Sequence, residues 1–447
     1  MNTTIHEPAR DLPVISHVDV CVLGGSATGV FAAVRAARLG AKVAIVERLN
    51  RFGGMATAAL VNVWHSLYDE VHERKIIAGL TQETMERLGQ RNAVQNIDKN
   101  PSQAFIFNSA ELATELDQLV VESGIEPHLH TAFAAPLLED GKLVGIAVEN
   151  KSGRGAIRAR VFVDATGDAD LCDRLGLPTY RIDHLQPPTM CAHIAGWSAL
   201  KGADYNAAIR ARREEYRLEE GFSWGAQIPN TDVRMLAGTR VPGVDCSVAA
   251  DLTRAEIEGR RQVRAIVDIL NRDLANGGLA TVALPSHIGV RETRHVRCVY
   301  QLTDDDVLYG RRFDDAIANG SYRVDVHHQD KPGVTFKYLN GGELYLRSDA
   351  PPVEGRWRPE TAENPTFYQI PLRSLVPNGS ENLIVAGRML DVELEAYGAV
   401  RVMVNMNQTG EAAGTAAYHA LDAGVPVERV DPAVVRKSLA DGGSIII

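Results

Sequence analysis

Val20-Cys21-Val22-Leu23-Gly24-Gly25-Ser26-Ala27-Thr28-Gly29 decides the fold. Four apolar residues read as a buried strand, and the glycine turn opens a helix of small residues that runs to Gly40. Lys42-Val43-Ala44-Ile45-Val46 forms a second strand ending at Glu47, an acid about twenty residues on from the turn. Strand, turn, helix, strand and acid in register make a nucleotide-binding βαβ unit. Glycine lets the backbone approach a pyrophosphate, and the helix amino end offers unpaired N–H groups and a positive dipole. Glu47 can accept from ribose hydroxyls, and its charge disfavours a 2′-phosphate. The second fingerprint glycine is replaced by Ser26, a small residue whose hydroxyl can donate to phosphate.

A second glycine pair follows the acid, in Glu47-Arg48 and Arg51-Phe52-Gly53-Gly54-Met55-Ala56-Thr57. An NAD domain would run into its next helix here. The segment resembles the FAD-dependent oxidoreductases of the glutathione-reductase-like superfamily, where it passes over the ribityl and pyrophosphate region. The resemblance implies FAD contacts from Arg48, Gly53, Gly54, Met55, Ala56 and Thr57.

The 447 residues exceed one ordinary core and suggest two intertwined domains. A formal net charge of −10 argues against an electrostatic binder of nucleic acid or anionic membrane. The leader Met1–Ser16 is polar, carries Pro8 and Pro13, and has no secretory pattern; no apolar run is long enough to span a bilayer. Cys21, Cys172, Cys191, Cys246 and Cys298 are scattered without a CxxC, which excludes a redox-active disulfide and favours a reducing cytoplasm. Nothing in the chain speaks to its oligomeric state.

Beyond Thr57 the chain is small and apolar up to Val63-Trp64-His65-Ser66. In the related flavoproteins this part runs along the flavin toward the substrate, so His65 is a candidate beside the isoalloxazine, or a flavin-tethering residue; a histidine simply packed against Trp64 fits as well. Asn108-Ser109-Ala110-Glu111 has capping-box spacing before a helix striped by Leu112, Leu116, Leu119 and Val120. Leu129–Ala135 and Leu137–Val148 alternate like strands around the turn Glu139-Asp140-Gly141-Lys142. In FAD folds this meander covers the adenine, which implies backbone contacts at Phe133 and Ala134. Ala159–Val163 then leads into Asp164-Ala165-Thr166-Gly167-Asp168, resembling the second FAD signature and implicating Ala165, Thr166 and Gly167.

Between residues 176 and 367 the signature glycines vanish. Thr253-Arg254-Ala255-Glu256 is expected to cap a helix through Leu274, stopped by Gly277-Gly278. Thr303-Asp304-Asp305-Asp306 reads as a helix start rather than a metal site, and no metal is expected elsewhere. His327-His328 reads as a surface pair in a polar loop. Gly289-Val290-Arg291-Glu292-Thr293-Arg294-His295 resembles the GxRExR segment of a large group of bacterial FAD-dependent oxidoreductases distantly related to fumarate reductase flavoproteins. Arg291 or Arg294 could hold a substrate carboxylate or an oxyanion, with Glu292 beside them. A structural Arg–Glu pair bracing a domain interface explains the segment equally well.

The carboxy-terminal part resembles the same group in order: YxIPxRxLxP from Tyr368, NLxVAGR ending at Gly387-Arg388, then Thr409-Gly410-Glu411-Ala412-Ala413-Gly414 opening the last helix. Small residues at a helix amino end would direct N–H groups at the flavin pyrimidine ring. Leu394 stands where related chains often carry a histidine before the acid matching Glu395. Proton transfer is therefore sought at Tyr397, Glu395 or His65, with Arg401 a further candidate on the substrate side.

These readings predict an α/β protein with a Rossmann-like FAD-binding domain of three layers (ββα) and an inserted α+β substrate domain. The FAD-binding parts are residues 17–175, with 58–107 partly toward the substrate, and 368–447; the substrate domain is 176–367. The expected activity is hydride transfer between a small organic substrate and flavin N5, without a built-in NAD(P)H domain, electrons leaving to oxygen or an external carrier. A monooxygenase or halogenase, a non-redox hydratase or isomerase, and a non-catalytic FAD-binding protein are the alternatives. The first usually has Gly-Asp where this chain has Gly387-Arg388.

Overall fold

The computed structural model describes residues 3–97, 99–328 and 330–447; Met1 and Asn2 of the polar leader lie outside them. Five short strands form a parallel sheet in the order Leu383–Val385, Val161–Asp164, Val20–Leu23, Val43–Val46, Glu126–His128. Every residue of the first four is buried, as expected of a parallel sheet covered on both faces. The protein is a mixed α/β fold of the Rossmann type.

The fingerprint helix spans Ala27–Arg38, and Ser26 is its cap: its hydroxyl oxygen accepts from Gly29 N at 3.3 Å. Ser26 thus replaces the fingerprint glycine by doing helix-capping work. The meander hairpin pairs Ala132–Glu139 with Lys142–Asn150, turning at Asp140 (φ +50°) and Gly141 (φ +78°), the positive pair that a tight hairpin requires. A third strand, Gly153–Arg158, continues the sheet, and Val14–His17 adds to its edge in parallel. The last residues of the supposed leader are therefore strand.

The last long helix begins at Met403, not at Thr409, and runs to Ala423. Thr409 to Ala413 lie two turns inside it, so their N–H groups belong to the helix ladder and are not at its open end. Gly410 and Gly414 have a different use. A Cβ on Gly410 would lie 2.1 Å from Thr28 O, and one on Gly414 2.0 Å from Ala32 O. Spaced by four on both helices, these positions let the fingerprint helix and the long helix touch backbone to backbone.

A second core gathers Met190, Ile194, Leu236 and Ile288 around Val263, Ile266 and Leu270 of the helix Ala249–Leu270. That helix starts four residues before the expected cap. Thr253 Oγ1 instead donates to Ala249 O at 2.9 Å, and Glu256 Oε1 accepts from Ile288 N at 2.6 Å, tying the helix to the segment ahead of Arg291. Thr303 does cap the helix Asp304–Leu308, in a reciprocal box with Asp306. His327 is not in a surface loop. It ends the buried strand Val324–His327 of a four-stranded antiparallel sheet, where Val324 and Val326 enter the core, and its Nε2 lies 3.2 Å from Asp325 Oδ1.

Candidate functional site

A cavity of about 240 Å³ is walled by the segments that the sequence singled out. Gly24, Ser26, Ala27 and Thr28 line it, as do Glu47, Arg48, Gly53, Gly54, Met55, Ala165, Thr166, Gly167, Gly387 and Arg388. Gly29 lies behind this wall, where a Cβ would sit 1.9 Å from Gly24 O; only glycine lets the helix begin so close to the strand. Gly25, Ala56 and Thr57 also serve from behind. Gly25 N donates to Glu47 Oε2 at 2.8 Å, and Thr57 Oγ1 donates to Phe52 O at 2.5 Å. Glu47 Oε1 accepts from Leu49 N at 2.8 Å, which leaves each oxygen of this carboxylate further lone-pair capacity.

Two groups of expected contacts do not reach the cavity. Phe133 and Ala134 sit out on the meander strand; the backbone held against the cavity edge is His130 N on Leu49 O and Thr131 N on Glu47 O, both 3.0 Å. Thr409, Gly410, Glu411, Ala412 and Ala413 are inside the long helix. Thr409 Oγ1 accepts from Gly387 N at 3.1 Å, and Glu411 is buried against Arg35. The amino end that does open on the cavity is Val402-Met403, with Arg401 before it and Met406 and Asn407 one turn on. Two helix amino ends, at Ala27 and Met403, therefore face one space.

The GxRExR segment divides its work. Arg291 borders the cavity; its guanidinium donates to Pro187 O and Thr189 Oγ1, and it has no ion pair among the described residues. Burial, Arg401 and Arg240 push its pKa down, the condition in which a bound anion is most welcome. Glu292 is fully buried, accepting from Gln186 N at 2.9 Å beside His295. Arg294 is paired with Asp170 at 3.0 Å and with Asp173, away from the cavity. Tyr397 donates its hydroxyl to Arg291 O, and Glu395 is paired with Lys337. Glu292, Arg294, Tyr397 and Glu395 are thus engaged within the protein, and Arg291 is the member of the segment's charged residues that borders the cavity.

Arg401 and His65 complete that end. Arg401 Nη2 donates to Asp325 O at 3.0 Å and lies 3.5 Å from Asp325 Oδ2. Asp325 Oδ2 also accepts from the Tyr322 hydroxyl at 3.0 Å, and the Tyr322 ring meets the His65 ring edge-on at 4.3 Å. His327 and the arginines hold the Asp325 carboxyl well below the usual range despite its burial. His65 is pushed down to about 3 by burial, Arg323 and Arg401, and its Nδ1 has no partner among the described residues.

Four polar residues of this region were not foreseen. Asp168 lines the cavity, accepts from Thr293 Oγ1 at 2.7 Å and pairs with Arg388; it directly follows the Ala165-Thr166-Gly167 signature, so its place was legible. His287, 2.5 Å from Arg48 Nη2, has no local signal. Asp325 and His327 were hidden in a strand whose alternation with Val324 and Val326 was readable.

A family model for FAD dependent oxidoreductases matches residues 19–439. The chain belongs to the FAD-dependent oxidoreductase family. The oxidoreductase is 24% identical over 236 residues to digeranylgeranylglycerophospholipid reductase 1 of Methanopyrus kandleri, a stretch covering 51% of this chain and 59% of that one. In structure it is similar to a geranylgeranyl bacteriochlorophyll reductase-like protein of Thermoplasma acidophilum (11% identity, 95% of this chain and 83% of that, TM-score 0.46). It is also similar to the myxobacterial chondrochloren halogenase CndH (12% identity, 96% and 80%, TM-score 0.46). The residues present fit FAD. Glycines leave the room that the close backbone approach needs, and two positive helix ends suit pyrophosphate and flavin carbonyl. The Glu47 carboxylate lines the cavity, and Arg388 Nε is buried without a partner among the described residues.

Proposed function

We propose that this FAD-dependent oxidoreductase moves a hydride between a carbon of a small organic carboxylate and flavin N5. Bound FAD supplies the two-electron chemistry. Arg291 and Arg401 hold and orient the carboxylate, guanidinium against carboxylate. The observation that carries this is Arg291: a cation on the cavity wall that hydrogen-bonds neutral oxygens, feels Arg401 and Arg240 more strongly than the Asp325 carboxylate, and has no ion pair among the described residues. Its backbone carbonyl is fixed by Tyr397, so the side chain springs from a braced position.

His65 is the proton-handling group. It is uncharged near pH 7, and a neutral imidazole with an unpartnered Nδ1 can take a proton from a substrate hydroxyl. The negative charge of a bound carboxylate offsets Arg323 and Arg401 and raises the basicity of the ring. Tyr322 fixes its orientation through Asp325.

No second glycine fingerprint lies between residues 176 and 370, which supports electron exchange with oxygen or an external carrier instead of bound NAD(P)H. The five thiols are buried and unpaired, and no helix among the described residues is long and apolar enough to cross a membrane; free thiols suit a cytoplasmic address. Anaerobic mixing of the FAD-loaded protein with a panel of small hydroxy acids, with and without NADPH, tests the proposal. Bleaching of the flavin by an acid alone supports it. Bleaching by NADPH alone at a catalytic rate replaces it with a monooxygenase-like cycle.

A further inference from the structure

A second chamber, of about 510 Å³, abuts the FAD cavity at His65, which contributes to both walls. The first turn of the long helix runs between them: Arg401, Val402 and Met403 face the FAD cavity, Val404 and Asn405 the larger chamber. A molecule held by Arg291 and Arg401 and reaching past His65 would extend into this chamber.

Its lining mixes the apolar Val71, Pro101, Pro365 and Val404 with the acids Asp69 and Glu70 and with uncharged hydrogen-bonding groups that have capacity to spare. Asn405 is 1% exposed; its Nδ2 donates to the Tyr368 hydroxyl at 3.0 Å, and its Oδ1 has no partner among the described residues. His72 Nδ1 is likewise buried and unpartnered. Glu70 accepts from Leu339 N at 3.2 Å through one oxygen only, and burial raises its pKa to about 7, so near neutrality it can donate as well as accept. Tyr338 is a further residue of the wall. Arg323, the one arginine or lysine in this lining among the described residues, donates to Ser102 Oγ at 2.9 Å and lies over the faces of Tyr322 and Phe336.

We propose that the larger chamber binds the hydroxylated chain of a polyhydroxy carboxylate, an inference that rests on the arginine-held carboxylate proposed above. A hydrocarbon chain would pack against Val71, Pro101, Pro365 and Val404 but strip water from these amide, imidazole and carboxyl groups without replacing their hydrogen bonds. A second anion would meet the carboxyls of Asp69 and Glu70 in the same wall as Arg323. Hydroxyl groups donate and accept at once, which suits a wall of mixed donors and acceptors.

Calorimetric titration of the FAD-loaded protein with three probes tests this: D-gluconate, which has both features, hexanoate, which lacks the hydroxyls, and D-glucitol, which lacks the carboxylate. Gluconate is expected to bind at least about tenfold more tightly than hexanoate, since a polar site rejects an analogue lacking the polar groups. Tyr338→Phe and Glu70→Leu should each weaken gluconate about three- to tenfold and leave hexanoate unchanged. Equal affinity for gluconate and hexanoate overturns the proposal, as does an equal loss for both in the chamber variants or no binding of gluconate at millimolar concentration. Equal binding of gluconate and glucitol, unaltered by Arg291→Gln, overturns the arginine-held carboxylate instead and is a separate failure.

Discussion

Arg35 Nε donates to Glu411 Oε2 at 2.8 Å, joining the fingerprint helix to the long carboxy-terminal helix across 376 positions of sequence. The same carboxylate accepts from Leu80 N and Ser444 Oγ, each at 3.1 Å. Both partners are almost wholly buried. Glu411→Ala leaves a guanidinium in the core without its counter-charge, and the expected loss of stability is about 3–5 kcal/mol in urea unfolding. The folded fraction should still carry FAD. Loss of flavin at unchanged stability would return Glu411 to the cofactor site.

Gly29→Val is expected to yield a protein without flavin, because even the Cβ would stand 1.9 Å from Gly24 O. The measurement is the ratio of flavin to protein absorbance after purification, with circular dichroism to confirm that the rest is folded. A yellow variant with a full complement of FAD would remove the close-packed turn from the account.

Arg291 and Arg294 are three positions apart and should respond in opposite ways. Arg291→Gln is expected to raise KM for a carboxylate substrate by about tenfold or more, the loss of one charge-assisted pair, with the melting temperature and flavin content unchanged. Arg294→Gln releases Asp170 and Asp173 and should lower stability by about 1–3 kcal/mol while KM holds. Exchanged outcomes would reverse the assignment.

Burial raises the Glu70 pKa from 4.5 to about 7, so between those values the folded protein binds more protons than the unfolded chain. The associated stability is complete below about pH 4.5 and is lost as the pH rises through 7. Glu70→Gln has no such proton to lose. Unfolding in urea at a series of pH values should therefore show the variant gaining on the parent by roughly 2–3 kcal/mol between pH 4.5 and 8. A constant difference across that range would mean that Glu70 titrates normally.

The parts legible in the residues alone are those built from short-range contacts. The strand, glycine turn and helix from Val20 to Arg38 can be read because apolar runs, a capping serine and a glycine at a close approach act within a few residues of each other. The Asp140-Gly141 hairpin and the Thr303 capping box were legible for the same reason. Phe133 and Ala134 lie a few residues beyond the backbone held at the cavity edge, since where a strand leaves its neighbour depends on the chain beside it.

Only the tertiary structure decided which helix end opens on the cavity and which arginine borders it. Val402 is an apolar cap with no signal, so the polar, small-residue run at Thr409 resembled a helix start, and Gly410 and Gly414 reveal their use only when Thr28 and Ala32 lie against them. Arg291 and Arg294 are chemically identical; what separates them is that Asp170 and Asp173, more than a hundred residues earlier, neutralise one and leave the other facing a cavity. Local pattern dictates what a segment becomes, but charge compensation and close packing are properties of pairs, and the pairs exist only once the chain has folded.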